Sequence, residues 1–258
     1  MKTIQDIKAI VVDLDRTLLH TDKSISSYTI AVLEACRNRG MQIMVATARP
    51  LRTTIPYCAK IPFDAMVVSN GARIICGDRR TEYGIDIACA ERLLHALQNH
   101  PALRITVENG DRAYSNLKIE DYETIITENL ADVANAEGVL KILVHLDQED
   151  TLEIVKQELT DDLYYTIANG YLLQIMNKSA TKWNGIRAML KIANCSPEEA
   201  VYFGDDHDDV EPIRLCGTGV AVSNGIEEVK AVADYIAQSN DDDGVARFIE
   251  EMILNKVK

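Results

Sequence analysis

The chain alternates short, continuous apolar runs with stretches whose apolar residues recur at helical spacing. The runs predict strands at 8–12, 42–46, 65–68, 200–203 and 219–222. One intervening stretch predicts a helix that Ser26 or Ser27 caps and Gly40 ends. Strands that are apolar throughout and are separated by amphipathic helices are typical of a parallel sheet covered on both faces. The pattern therefore favours the α/β class.

The middle of the chain has a different pattern. Two helical stretches there are mixed with strand-like runs, and Asn-Gly pairs at 109–110 and 169–170 are hairpin signals. This combination predicts an α+β module with an antiparallel sheet, inserted into the α/β domain. The predicted bounds are 1–83 and 181–258 for the core and 84–180 for the inserted module.

Polar and charged residues stand directly after the predicted core strands. They are Asp13 and Asp15 after the first, Thr47 and Ala48 after the second, Asn70 and Gly71 after the third, and the run GDDHDD with Asp205 and Asp209 after the fourth. Lys182 opens the helix that precedes the fourth strand. Right-handed crossovers bring the carboxyl ends of parallel strands to one edge, where α/β proteins bind ligands. We therefore expect these residues to converge.

Such a cluster has a specific chemistry. Carboxylates packed together repel one another unless a cation lies among them, and hard oxygen ligands suit Mg²⁺. Together with Lys182, that ion would offset the charge of a phosphate dianion. Asp13 could then act as a nucleophile, and Asp15, on the same side of an extended chain, as a general acid and base. Thr47 would supply a hydroxyl group to the phosphoryl oxygens.

Composition limits the partners. The net charge of −13 and the pI near 4.8 argue against nucleic acid, because binding to the phosphate backbone needs a basic face. No apolar run is long enough to cross a bilayer, and the N-terminus lacks the pattern of a signal peptide. The six scattered cysteines are typical of a reducing compartment. We expect a cytoplasmic protein, a monomer or homodimer, that acts on a small phosphorylated metabolite.

The motifs DLDRTLL, ATAR, SNGA, NKSATK and GDDHDD, in this order, resemble those of the haloacid dehalogenase superfamily. Within it the chain is most similar to the Cof-type phosphatases, and the likeness spans nearly the whole sequence. The resemblance implies a Rossmann-like core with an inserted α+β cap that sets specificity. It also implies a Mg²⁺-dependent phosphatase that forms an aspartyl-phosphate, with sugar phosphates as the favoured substrate class.

The same resemblance implies individual roles. Asp13 would be the nucleophile and a metal ligand, and Asp15 the acid and base, with its backbone carbonyl on the metal. Asp205 would be a further ligand, and Asp209 one that acts less directly or through water. The phosphoryl group or substrate would be held by the remaining residues of the set, namely Thr47, Ala48, Asn70, Gly71 and Lys182.

Three positions depart from the pattern of the family. Arg16 stands where glycine is usual, which could alter substrate access. Asp208 replaces the usual asparagine and adds negative charge. Ala48 replaces a glycine, which leaves the backbone N–H in place. Two other functions remain open, a phosphotransferase such as a phosphohexose mutase and a phospho-ligand-binding protein without turnover.

Overall fold

The computed structural model describes residues 7–168 and 170–255. The chain divides into two compact units. The core unit comprises Met1–Arg49, Thr53–Thr81 and Thr181–Lys258, and the inserted unit comprises Pro50–Arg52 and Glu82–Ala180.

The core unit is built on one sheet. Its strands are β1 (Ala9–Val12), β2 (Gln42–Ala46), β3 (Ala65–Val68), β4 (Arg73–Cys76), β5 (Arg79–Glu82), β12 (Ala200–Gly204), β13 (Thr218–Val222) and β14 (Tyr235–Ala237), where β6 to β11 belong to the inserted unit. Within the described residues their order is β14-β13-β12-β1-β2-β3-β4-β5. All pairs from β14 to β3 are parallel, as the sequence predicts for the five strands from β13 to β3. Strand β14 extends this parallel part and was not predicted from the sequence.

The helices of the core unit cover this sheet. They are α1 (Ser27–Asn38), α2 (Leu51–Cys58), α6 (Lys182–Ile192), α7 (Val210–Leu215), α8 (Glu227–Val232) and α9 (Gly244–Ile249), where α3 to α5 belong to the inserted unit. The Ser26 hydroxyl caps α1 by accepting a hydrogen bond from the Thr29 N–H. Apolar side chains of the strands and helices pack together, and Phe203 meets Phe248 edge to face at 5.6 Å between ring centroids. This burial fixes the strand ends that carry the polar residues.

The end of the sheet beyond β3 differs from the prediction. Strand β4 pairs antiparallel with β3, and β5 lies at the sheet edge. Strand β4 (RIIC) begins with an arginine, and β5 (RRTE) is polar and mostly exposed, so neither is the continuous apolar run that predicted the other core strands. The core sheet is therefore parallel where the polar residues gather and antiparallel at one margin.

The inserted unit has a second sheet. Its strands are β6 (Ile105–Glu108), β7 (Ala113–Ser115), β8 (Ile125–Ile126), β9 (Lys141–His145), β10 (Leu163–Ala168) and β11 (Leu172–Asn177), and its helices are α3 (Ile87–Gln98), α4 (Leu130–Glu137) and α5 (Thr151–Glu158). The sheet order is β10-β11-β9-β6-β7-β8, antiparallel except for the β7–β8 pair. The helices pack on one face of this sheet around a separate apolar cluster.

The predicted hairpins fall in this unit. Gly110 has φ 94°, and the Asn109 side chain accepts hydrogen bonds from the N–H groups of Asp111 and Arg112, so the first predicted turn is present. Strands β10 and β11 pair antiparallel around Gly170, while Asn169 lies outside the described residues. None of the helices in the described ranges has the length and apolar character that a bilayer span requires.

Candidate active site

Four neighbouring parallel strands deliver the predicted residues to one edge of the core sheet. The residue after each strand is Asp205 for β12, Asp13 for β1, Thr47 for β2 and Ser69 for β3. Because the four strands are adjacent and parallel, their carboxyl ends lie side by side. The convergence that the sequence predicts is therefore present in the core unit.

Three carboxylates form the centre of this edge. Asp13, Asp205 and Asp209 are all buried, and each has an oxygen within 4.8 Å of the others'. Burial, followed by the charge of Asp209, raises the pKa of Asp205 to about 7. Burial also raises the pKa of Asp13 well above its ordinary range, against the attraction of Lys182. Buried carboxylates that repel one another in this way are suitable ligands for a hard divalent cation, whose positive charge would remove the repulsion.

Asp209 is held by four donors. Its Oδ1 accepts hydrogen bonds from Lys182 Nζ at 2.5 Å and from the Tyr202 hydroxyl at 2.5 Å. Its Oδ2 accepts from the backbone N–H groups of Asp205 and Asp206 at 2.9 and 3.0 Å. Gly204 makes room for this carboxylate, since a Cβ there would lie 2.4 Å from the Cβ of Asp209. Asp209 thereby fixes both the lysine and the loop that carries Asp205.

Lys182 lies at the beginning of α6, after Thr181, whose hydroxyl caps the helix. Its Nζ also donates to Asp13 Oδ1 at 3.1 Å. Burial alone lowers the pKa of Lys182, but the negative charges of Asp13 and Asp209 outweigh burial and raise it, so the ammonium group stays charged. The site therefore holds one permanent positive charge against its three central carboxylates.

Gly71 determines how closely this helix approaches the site. Its φ is 99°, and a Cβ on it would lie 2.1 Å from the carbonyl oxygen of Thr181. The preceding residues Ser69 and Asn70 also have positive φ, at 52° and 56°. The tight turn after β3 therefore requires glycine at 71 and places the first turn of α6, with Lys182, against the strand ends.

Thr47 and Asn70 complete the floor of the site. Thr47 is buried, its Oγ1 accepts a hydrogen bond from the Arg49 N–H at 3.2 Å, and its carbonyl accepts from the Asn70 N–H at 3.2 Å. The Asn70 side chain donates to Asp208 Oδ2. Ala48 lies between Thr47 and Arg49 and is partly buried. The segments after β2 and β3, which carry four of the predicted phosphoryl-binding residues, are thus joined by a hydrogen bond between the Asn70 N–H and the Thr47 carbonyl.

Asp15 lies beside the cluster and has its own partners. Arg49 approaches it with two nitrogens, Nε to Oδ2 at 2.5 Å and Nη2 to Oδ1 at 2.7 Å, and Lys23 Nζ donates to Oδ1 at 2.7 Å. Burial alone raises the pKa of Asp15, but the hydrogen bonds from Arg49 and Lys23 outweigh burial and lower it. Asp15 is therefore ionised in this arrangement.

Several contacts of the site were not anticipated from the sequence. Thr17 donates to Asp205 Oδ1 at 2.7 Å, and Tyr202 donates to Asp209. Outside the site, Asp243 accepts from His20, Ser26 and Thr29 and ties the loop after β1 to the C-terminal region. Thr17 belongs to the DLDRTLL motif, so its place in the site could have been inferred from the sequence. Tyr202 lies inside a buried strand, where the apolar pattern predicts only packing.

Comparison with known proteins agrees with this geometry. The family model for haloacid dehalogenase-like hydrolases matches residues 10–249. The chain is 27% identical over 262 residues to the 5-amino-6-(5-phospho-D-ribitylamino)uracil phosphatase YitU of Bacillus subtilis, covering 94% of this chain and 96% of that protein.

Solved structures share the fold. A haloacid dehalogenase-like hydrolase from Bacteroides thetaiotaomicron superposes with a TM-score of 0.86 at 24% identity, covering 96% of this chain and all of that one. The sugar phosphatase BT4131, of haloacid dehalogenase subclass IIB, superposes with a TM-score of 0.80 at 22% identity over 95% of this chain and 98% of its own. The chain belongs to the haloacid dehalogenase-like hydrolase family.

Proposed function

We propose that this chain is a Mg²⁺-dependent phosphatase that hydrolyses a small phosphorylated metabolite through an aspartyl-phosphate on Asp13, with sugar phosphates as the favoured class. The observation that carries the proposal is the buried cluster of Asp13, Asp205 and Asp209 around one charged lysine at the carboxyl ends of adjacent parallel strands. Such a cluster can accept a divalent cation and a phosphate dianion together.

The donor set fits a hard cation. Asp13 and Asp205, with the backbone carbonyl of Asp15, would hold Mg²⁺, and Asp209 would act through a water molecule. Asp209 already accepts four hydrogen bonds, which supports the indirect role. When bound, the ion supplies positive charge that offsets the phosphoryl oxygens and polarises the phosphorus atom.

The side chains of the core unit carry out the transfer and positioning of the phosphoryl group. An oxygen of Asp13 attacks phosphorus, the P–O bond to the leaving alcohol breaks, and Asp13 carries the phosphoryl group. Lys182 balances the charge of that group. The Thr47 hydroxyl, the backbone N–H groups around Ala48, and Asn70 with Gly71 would position its oxygens. Water then attacks the aspartyl-phosphate, releases inorganic phosphate and restores Asp13.

Asp15 serves both half-reactions in this scheme. As an acid it protonates the leaving alkoxide, and as a base it takes a proton from the attacking water. The ion pairs with Arg49 and Lys23 favour the ionised form, which is the base. The acid step needs Asp15 to take up a proton, so the contacts with Arg49 and Lys23 must loosen before it.

The activities of two similar proteins support a polyol or sugar ester as the substrate. BT4131 is a sugar phosphatase, and YitU acts on a phosphorylated ribityl chain. The test is a screen of phosphorylated metabolites for phosphate release with Mg²⁺ and with a chelator, including hexose phosphates and the ribitylaminouracil phosphate. Mg²⁺-dependent release from at least one sugar or polyol ester supports the proposal. No release from any ester contradicts it, and an isomeric sugar phosphate in place of inorganic phosphate indicates a phosphotransferase.

A further inference from the structure

Arg16 occupies a backbone conformation that suits glycine. Its φ of 60° and ψ of 9° lie in the left-handed region, inside the turn that follows Asp13. A residue with a Cβ is disfavoured there, and an arginine gains nothing from burial, because 61% of its side chain is exposed. The turn therefore holds Arg16 in an unfavourable backbone conformation in which its charged group is exposed.

The guanidinium lies at the rim of the carboxylate cluster. Its Nε is 4.0 Å from Asp205 Oδ2, and its Nη2 donates to the carbonyl of Asn224 at 3.4 Å. The backbone of this turn is fixed from the other side, because Asn224 Nδ2 donates to the Arg16 carbonyl at 2.8 Å and Asn224 Oδ1 accepts from the Asn240 N–H at 2.9 Å. The backbone of Arg16 is therefore firmly held, and only its guanidinium group makes long contacts.

The other cationic side chains near Arg16 contact carboxylates more closely than Arg16 does. Lys182, Lys23 and Arg49 each donate to a carboxylate at distances between 2.5 and 3.1 Å. Within residues 7–168 and 170–255, Arg16 is the cation at this edge that has no hydrogen-bonded carboxylate. A cation on Asp205 would weaken even the 4.0 Å attraction, since it neutralises that carboxylate. The guanidinium would then face solvent beside the reacting group.

We propose that Arg16 is a specificity-determining residue that selects phosphomonoesters whose leaving group carries a carboxylate, such as the phosphates of sugar acids and hydroxy acids. The planar guanidinium matches a carboxylate with two parallel hydrogen bonds, and its single charge balances one negative charge. This inference rests on the proposed phosphatase activity and adds to it a requirement for a carboxylate on the leaving group, which can be a sugar acid or a hydroxy acid.

The experiment compares acid and alcohol members of matched pairs. The pairs are phosphoglycolate with 2-hydroxyethyl phosphate, 3-phosphoglycerate with glycerol 3-phosphate, and 6-phosphogluconate with glucitol 6-phosphate, in which a carboxylate replaces a hydroxymethyl group. The wild type is expected to have a kcat/KM at least about tenfold higher for the acid in one pair or more, mainly through KM. Arg16→Gln should abolish that preference, and Arg16→Lys should keep part of it.

Arg80→Gln is the matched control, because Arg80 is an exposed arginine on β5 and the charge change is the same. Thermal unfolding of each variant separates lost folding from lost selectivity. A wild type without preference in any pair, or a preference that survives Arg16→Gln, overturns the inference while leaving the phosphatase proposal intact.

A binding measurement separates the two proposals if no ester turns over. Calorimetric titration of the Asp13→Asn protein with the same pairs and Mg²⁺ then provides the readout. Tighter binding of the acid that is lost on adding Arg16→Gln supports the inference without turnover. Equal binding of acid and alcohol, or binding of neither, contradicts it.

Discussion

The ammonium nitrogen of Lys182 lies 2.5 Å from Oδ1 of Asp209, and both side chains are almost completely buried. A buried pair of this kind contributes little net stability by itself, but removing one partner leaves the other charge uncompensated. Here the uncompensated group would be a cluster of three carboxylates. The pair is therefore structural and functional at once.

Replacing Lys182 by methionine tests this role. Lys182→Met should destabilise the metal-free protein by about 3–5 kcal/mol, because Asp13 and Asp209 lose their counter-charge inside the protein. Urea denaturation measures the change. Lys191→Met, at an exposed position of the same helix, is the control and should cost less than about 0.5 kcal/mol. Equal midpoints for the two variants would refute the account of the pair.

The raised pKa of Asp205 determines how the stability of the metal-free protein should depend on pH. Its pKa of about 7 lies above the ordinary value of 3.8, so the folded state binds the proton more tightly than the unfolded state does. The metal-free protein should lose stability as pH rises from about 4 to about 7 and level off above that range. Asp205→Asn should flatten this slope and stabilise the metal-free protein at pH 7 by on the order of 1 kcal/mol or more.

The same variant has a second readout. Thermal unfolding at pH 7 should move to higher temperature with Mg²⁺ in the wild type and move much less in Asp205→Asn, because one ligand is lost. A stability that rises between pH 4 and pH 7 in the wild type but not in the variant would assign the opposite sign to the effect of Asp205.

Gly71 should not tolerate a side chain. Gly71→Ala places a Cβ 2.1 Å from the Thr181 carbonyl at a φ of 99° and should cost about 2 kcal/mol or more, with activity falling because α6 shifts with Lys182. Gly40→Ala is the matched control, since Gly40 has φ 83° but no atom within 4 Å of the added Cβ. It should cost only about 1 kcal/mol and leave turnover intact. Similar losses in both variants would mean that the close approach to Thr181 is not what requires glycine.

The role of Asp15 can be tested by comparing substrates whose leaving groups differ in their need for a proton. If Asp15 protonates the departing alkoxide, Asp15→Asn should lower kcat for an alkyl phosphate by about 10²–10⁴. The loss for p-nitrophenyl phosphate should be smaller in the first half-reaction, because that leaving group needs no proton. Single-turnover kinetics of the two esters isolate this step. An equal loss for both esters would assign Asp15 to positioning alone.

Much of this site could be predicted because it is built from strand ends. A continuous apolar run fixes where a strand stops, and parallel order then fixes which residues meet, as it does for Asp13, Thr47 and Asp205. The β4–β5 margin escaped prediction because β4 begins with an arginine and β5 is polar, so neither strand is apolar throughout. The contact of Thr17 escaped prediction because its partner Asp205 is distant in sequence. The contact of Tyr202 escaped because Tyr202 lies inside a buried strand, where the apolar pattern predicts only packing. The direction in which the Arg16 side chain points depends on the backbone angles of a single turn.

The claim on which the account depends is that Asp13 takes the phosphoryl group. Acid quenching of the enzyme with Mg²⁺ during turnover of p-nitrophenyl phosphate, followed by peptide mass spectrometry, tests it most directly. The account predicts one phosphoryl group on Asp13, with fragmentation distinguishing it from Asp15, and loss of both label and turnover in Asp13→Asn. Near-normal turnover in that variant, or label on another residue, would contradict the account.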